Sequence, residues 1–141
     1  MYLLDVNLLI ALAWDDHVHH DRAHLWLGKL GATAFATCNT TQSGFVRVSF
    51  NQNAMKCSLG IEEIFTKLES FIHHPSHQFW EDGPLQTKAS VWRNITGHNQ
   101  VTDTNLVLIA HKHVGKLATL DEGIKSKLPK PEQAWVEVIL S

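Results

Sequence analysis

The 141-residue chain is 44% apolar and 18% charged, a balance that excludes a disordered or fibrous polymer and fits one compact domain over residues 1–141. Its net charge of -2 excludes a global basic field, so contact with nucleic acid must come from a local patch or through a metal ion. Cys38 and Cys57 form no C-x-x-C pair and fit no zinc spacing, which points to free thiols in a reducing compartment, with a single disulfide as the alternative. The N-terminal apolar run is interrupted by Asp5 and Asn7 and closed by Asp15 and Asp16, too short and polar for a signal peptide or a membrane span. A cytoplasmic protein without membrane contact is expected.

In chain order, Tyr2–Leu4 reads as a short strand ending at Asp5. Asn7 then caps an apolar, buried helix over Leu8–Trp14. Ala23, Trp26, Leu27 and Leu30 share one face of a helix over His20–Leu30, with Gly31 as its stop. Thr33–Thr37 has strand composition. Asn39 or Thr40 can cap a helix that follows, yet Phe45–Phe50 also nearly alternates like a strand; periodicity leaves both open until Asn51–Asn53 break the segment. Gly60–Ile72 carries the strongest helical pattern, and His77–Trp80 reads as a strand followed by the turn Glu81–Pro84. Leu85, Ala89, Trp92 and Ile95 predict an amphipathic helix ended by Gly97. Thr102 caps the next helix, which stops near Gly115. Strands are expected at Leu117–Leu120 and Trp135–Ile139. Alternating strands and helices predict an α/β fold with a mostly parallel sheet covered on both faces.

Three acids gain meaning from that topology. Asp5 follows the first strand, Asp121 follows a later one, and Asp103 sits in the first turn of the helix between. All three belong at the carboxyl edge of the sheet, where such folds bind ligands. Crowded carboxylates repel, and a hard divalent cation with oxygen ligands relieves the repulsion; Mg2+ or Mn2+ there can activate water against a phosphodiester. Ordinary caps and turn acids would look the same in sequence, so the residues alone leave the two readings open.

The segments LLDVNLLIALAW, TTQSGFVRVSF and TDTNLVLIAHKHVGKLATLDEG, in this order, resemble the PIN-domain family, specifically the VapC-like ribonuclease toxins of toxin–antitoxin pairs. The resemblance runs from Tyr2 to about Ile139. It implies a five-stranded parallel sheet with helices on both faces, and a metal-dependent endoribonuclease acting on single-stranded or loop RNA and blocked by a cognate antitoxin. It further implies a homodimer. By position, Asp5, Asp103 and Asp121 match the family's acidic metal-site residues, with Asn7 and Thr102 as supporting polar groups. It favours helix for Thr41–Phe50. The family's usual Glu in the first turn after the second strand is replaced by Gln42, which can position a metal or water but adds no charge. Glu122 is a neighbour that could contribute the missing acid, and a degenerate PIN domain that binds RNA or protein without cutting is the alternative. A phospho-acceptor signalling domain is disfavoured, because it wants adjacent acids after the first strand and Lys116 precedes its strand.

Remaining features carry a bland and a functional reading each. His17, His19, His20 and His24 form a cluster; His20 and His24, one helical turn apart, suit either a polar helix entry or a transition metal, with His20 also a candidate for RNA phosphate. His111 and His113 read as surface residues. Arg47 suits an acid partner, RNA or a structural salt bridge. Lys88, Arg93, Lys112 and Lys116 are candidates for a positive rim, and Trp80 for core packing or base stacking.

Overall fold

A computed structural model describes residues 1–30, 34–51 and 58–139. Gly31, Thr33, Gln52, Asn53 and Cys57, each part of an expectation above, lie outside the described residues. Strand β1 (Tyr2–Leu4) leads into α1 (Val6–Ala13) and α2 (His20–Lys29), then β2 (Phe35–Thr37), α3 (Asn39–Phe50), α4 (Ile61–Ile72) and β3 (His77–Phe79). After a 3-10 turn at Ser90–Asn94 come α5 (Gln100–Lys112), β4 (Lys116–Thr119), α6 (Glu122–Ser126), a second 3-10 turn at Lys130–Trp135, and β5 (Val136–Val138). The five strands are all parallel, in the order β3-β2-β1-β4-β5.

The strands are short, and alternation sorts their side chains cleanly. Leu3, Ala36, Leu117 and Val136 enter one core with Leu106–Ala110 of α5 and Ile124 of α6. Leu4, Phe35 and Ala118 enter the other, with Leu8–Trp14 of α1, Phe45 of α3, and Ile64 and Leu68 of α4. A sheet buried on both faces explains why its strands read as apolar runs. Phe45, fully buried, stacks on Trp14, whose indole donates to Ser49 Oγ at 3.0 Å. Truncating such a residue costs about 3–5 kcal/mol. Gly44 lets α3 approach α1, since a Cβ there would sit 2.6 Å from Val6 Cγ2.

The chain builds β1, β2 and β3 outward on one side, then returns to the other side of β1 for β4 and β5. The direction of winding therefore reverses between β1 and β4, which opens a crevice beyond their carboxyl ends.

Several local expectations are corrected. Asp5, not Asn7, caps α1: its carboxylate accepts from Val6 N at 2.8 Å, and the helix starts at Val6. Asn39 and Thr40 lie inside α3, whose N-cap is Cys38; the first turn is satisfied from outside, by Asp82 accepting from Asn39 N at 2.9 Å and from the backbone and hydroxyl of Thr40. Thr102 is an exposed first-turn residue of α5, not its cap, because the helix already starts at Gln100. The helix expected over Leu85–Ile95 is only the five-residue 3-10 turn. There the Trp92 indole donates to the Gln86 carbonyl at 2.7 Å and Leu85 stays exposed, so no continuous apolar stripe is buried. The resemblance was right about α3, which is helical from Asn39 to Phe50.

At the end of α5 the residue at positive φ is Val114 (60°), while Gly115 serves a close approach: a Cβ on it would lie 2.5 Å from the Trp80 ring and 2.8 Å from Met1 O. Trp80 is thereby buried and stacked on His113, which removes it from base stacking. His111 stacks on Trp135 and is exposed, as expected, whereas His113 is half-buried. Among the described residues no helix is long and apolar enough to cross a membrane.

Candidate active site

The carboxyl ends of β1 and β4 are joined by one hydroxyl. Thr119, the last residue of β4 and fully buried, donates its Oγ1 proton to Asp5 Oδ2 at 2.7 Å. The same oxygen accepts from Asn7 Nδ2 at 3.2 Å and from Asp121 N at 3.0 Å. Its single proton and two lone pairs are then fully used. Asn7 Oδ1 in turn accepts from Leu120 N at 3.2 Å, so the Asn7 amide braces the loop that carries Asp121. Asp121 caps α6 by accepting from Gly123 N at 2.9 Å.

Asp103 enters from the first turn of α5. Its carboxyl is pushed up to about 6, first by burial and then by the charges of Asp5 and Asp121, while Lys127 pulls it down. Asp5 is also raised, first by burial, with Asp121 adding to the rise and the Thr119 hydroxyl and Val6 amide opposing it. The three acids thus feel one another across the β1/β4 crevice. A small cleft of about 70 Å3 at this edge includes Asp103, Asp121, Asn94, Gln100 and Lys127 in its walls. Two helix N-termini, of α1 and α5, also open here, a favourable setting for phosphate.

The donor set suits a hard cation. Every candidate ligand is a carboxylate or amide oxygen, and the carboxyls of Asp5 and Asp103 are raised first by burial and then by neighbouring acids, so ionising them is costly without a cation. Among the described residues no three His, Cys, Asp or Glu side chains close into a finished cage. A site of this kind fits Mg2+, which keeps several of its waters and takes few carboxylates directly.

Other candidates fall elsewhere. Gln42 sits half-buried in the first turn of α3, at the same edge but on the β2 side, with Nε2 donating to Thr37 Oγ1 at 3.0 Å. Arg47 lies in the last turn of α3, exposed; five residues on a helix is about 140° of rotation, so it does not share the face of Gln42. His20 and His24 are not drawn to the acids. At the far end of α1 their ring N–H groups, His20 Nδ1 and His24 Nε2, donate to the Ala11 and Leu12 carbonyls at 2.8 Å each, closing that helix's C-terminus. Glu122 is exposed and lies with Lys125, Gln133 and Glu137 around a separate surface pocket. Lys116 opens β4 at the amino edge, away from the acids. Thr119 and Lys127 were not singled out in the sequence. A threonine ending a strand signals nothing beyond β-propensity, and Lys127 is a lone cation in a polar segment.

No protein-family model matches the chain. It is 35% identical over 139 residues to Ribonuclease VapC38 of Mycobacterium tuberculosis (strain ATCC 25618 / H37Rv), covering 99% of this chain and 98% of that protein. It is 36% identical over 124 residues to Ribonuclease VapC39 of Mycobacterium tuberculosis (strain CDC 1551 / Oshkosh), covering 86% and 89%. Ribonuclease VapC29 of the same strain is 38% identical over 122 residues, covering 86% of each chain. With 35% identity over nearly the whole of both chains, and an α/β fold around a parallel five-stranded sheet, the chain belongs to the VapC ribonucleases of the PIN-domain class.

Proposed function

We propose that this chain is one PIN domain acting in the cytoplasm as a Mg2+- or Mn2+-dependent endoribonuclease toxin, on single-stranded or loop RNA, held in check by a cognate antitoxin. The carrying observation is the trio Asp5, Asp103 and Asp121, coupled across the β1/β4 crevice with Asp103 raised to about 6. The three carboxylates would hold the ion. When bound, it would supply Lewis-acid charge at the phosphodiester and lower the pKa of a water.

The chain's own residues do the rest. Thr119 fixes the rotamer of Asp5, and Asn7 fixes the loop of Asp121, so both carboxylates meet the ion in set orientations. Lys127, on the cleft wall, offers a positive charge to RNA phosphate. Arg93, exposed on the 3-10 turn beside Asn94, extends that wall outward. Gln42 orients a water or a phosphate oxygen from the β2 side. A homodimer is inferred from the family alone.

The test incubates purified protein with structured RNAs in Mn2+ or in EDTA. Cleavage in Mn2+ that stops in EDTA and in Asp5→Asn is the expected result; cleavage that survives both overturns the metal route. The neutral amide at Gln42 favours a second reading, a PIN domain that binds RNA without cutting. RNA retention in a filter assay without any cleavage in Mn2+ would select it.

A further inference from the structure

The β2 side of the carboxyl edge holds a hydrogen-bonded chain that runs away from the acids. Thr37, the last residue of β2, is fully buried, and its Oγ1 has two recorded partners: Gln42 Nε2 at 3.0 Å and His77 Nε2 at 2.7 Å. An amide nitrogen can only donate, so Thr37 Oγ1 accepts from Gln42. The hydroxyl proton is then available to His77, whose Nε2 accepts it when the ring proton sits on Nδ1.

Two surroundings favour that neutral ring. Burial, first, and nearby His74 push the His77 pKa down towards the neutral ring, against an opposing pull from the Ile72 backbone, which accepts from a ring N–H and so keeps one proton on the imidazole. The ring also packs edge-on against Phe35, itself buried in the core, so it has little freedom to turn. The polarity therefore runs Gln42 N–H to Thr37 O–H to His77 N. Gln42 is left with its amide nitrogen turned inward to β2, and among the described residues nothing donates to its Oε1.

We propose that His77, acting through Thr37, is a positioning residue that fixes which end of the Gln42 amide is presented at the site: the carbonyl oxygen. The inference rests on the reading that Gln42 acts at this edge. It also explains why the glutamine is matched to its partners. A glutamate at position 42 has no N–H to give and would compete with His77 for the single Thr37 proton. The ring would then have to take a proton at Nε2.

The test reads the His77 ring directly, in 15N-labelled intact protein, from two-bond proton–nitrogen correlations of its imidazole. The expected wild-type pattern is a proton on Nδ1 and a hydrogen-bonded, unprotonated Nε2. Thr37→Val should remove the hydrogen-bond shift at Nε2, and Gln42→Glu should move a proton onto Nε2. In the cleavage assay, Thr37→Val and His77→Phe should each lower kcat by about tenfold with KM nearly unchanged. A wild-type ring protonated at Nε2, or a ring whose signals ignore both Thr37→Val and Gln42→Glu, overturns the proposal. So does an active enzyme whose kcat is indifferent to Thr37→Val and His77→Phe. A wild-type protein that shows the expected ring pattern and responses but cleaves no RNA supports the amide assignment and sinks the nuclease reading, so the two failures are separable.

Discussion

Two buried threonines end the strands on either side of β1, and the difference between their surroundings organises the carboxyl edge. Thr119, at the end of β4, gives its proton to a carboxylate, that of Asp5, and gathers Asn7 and the Asp121 backbone around the same oxygen. Thr37, at the end of β2, has a neutral amide and an imidazole as partners. Both hydroxyls are fully buried and both are satisfied, as burial of a polar group requires. One side collects negative charge and is costly without a cation; the other adds hydrogen-bonding direction and no charge. Chemistry that needs an ion belongs to the β4 side, and orientation belongs to the β2 side.

The largest expected effect comes from removing charge on the β4 side. Asp5→Asn keeps the shape but removes the charge of a buried, Thr119-held carboxylate, and RNA cleavage in Mn2+ should fall by at least about 100-fold. Isothermal titration of Mn2+ into the same variant should show weakened binding. An Asp5→Asn protein that retains wild-type turnover would remove the distinction between the two sides.

Thr119→Val tests the hydroxyl instead of the charge. The valine fills the same space but neither donates to Asp5 nor accepts from Asn7 and Asp121. Metal affinity or activity should drop by about 10- to 100-fold, less than for Asp5→Asn. The equivalent change at Thr37 should leave Mn2+ affinity unaltered, since no carboxylate leans on that hydroxyl. Equal losses of Mn2+ binding in both variants would break the comparison.

How much of this was legible in sequence depends on whether a signal is local. Strand positions, the helix over Ile61–Ile72 and the placement of three acids at one edge follow from apolar runs and chain order, which topology converts into space. The cap of α3 does not, because Asp82 reaches Asn39 and Thr40 from 43 and 42 residues away. The helix expected at Leu85–Ile95 failed for a related reason: its apolar spacing is real, but its backbone is satisfied by turns and by the Gln86–Trp92 contact. Thr119 and Thr37 were invisible because their role is set by partners on other strands. The histidines left two readings open: His20 and His24 suit a metal pair or a polar helix entry, and their bonds to the Ala11 and Leu12 carbonyls of α1 fit the second.

A smaller effect sharpens the electrostatic half of the comparison. Asp103 has a folded pKa of about 6 against an ordinary value of 3.8, so the folded protein holds that proton more tightly than the unfolded chain. Its contribution to stability is full below about pH 3.8 and is lost as pH rises through about 6. His77 runs the other way, its lowered pKa adding stability as pH rises towards its ordinary value of 6.5, so wild-type melting alone mixes the two. The difference between Asp103→Asn and wild type isolates the carboxyl. In EDTA the variant should gain relative stability between pH 5 and pH 7.5, by about 1 kcal/mol after allowing for solvent screening of this half-exposed group, or a few degrees in Tm. Added Mn2+ should erase the gain by stabilising wild type only. A difference that does not change with pH would mean that Asp103 carries no uncompensated charge.

The last and smallest test lies on the β2 side. Asp82 is a carboxylate on that side, engaged with the first turn of α3, accepting from Asn39 N and from both the backbone and the hydroxyl of Thr40. Its charge is answered by the helix N-terminus and by those donors, so it needs no cation. Asp82→Ala should therefore cost about 1 kcal/mol of stability in urea denaturation, the usual worth of a helix cap. It should leave Mn2+ affinity unchanged, because its loss takes away a cap and not a ligand. It should also loosen the first turn that carries Gln42, lowering kcat modestly while the Mn2+ dependence of the rate keeps its wild-type midpoint. A shifted midpoint in Asp82→Ala would mean that the metal-binding charge extends across β1 to the second threonine, and the division between an ionic and a neutral half would fail.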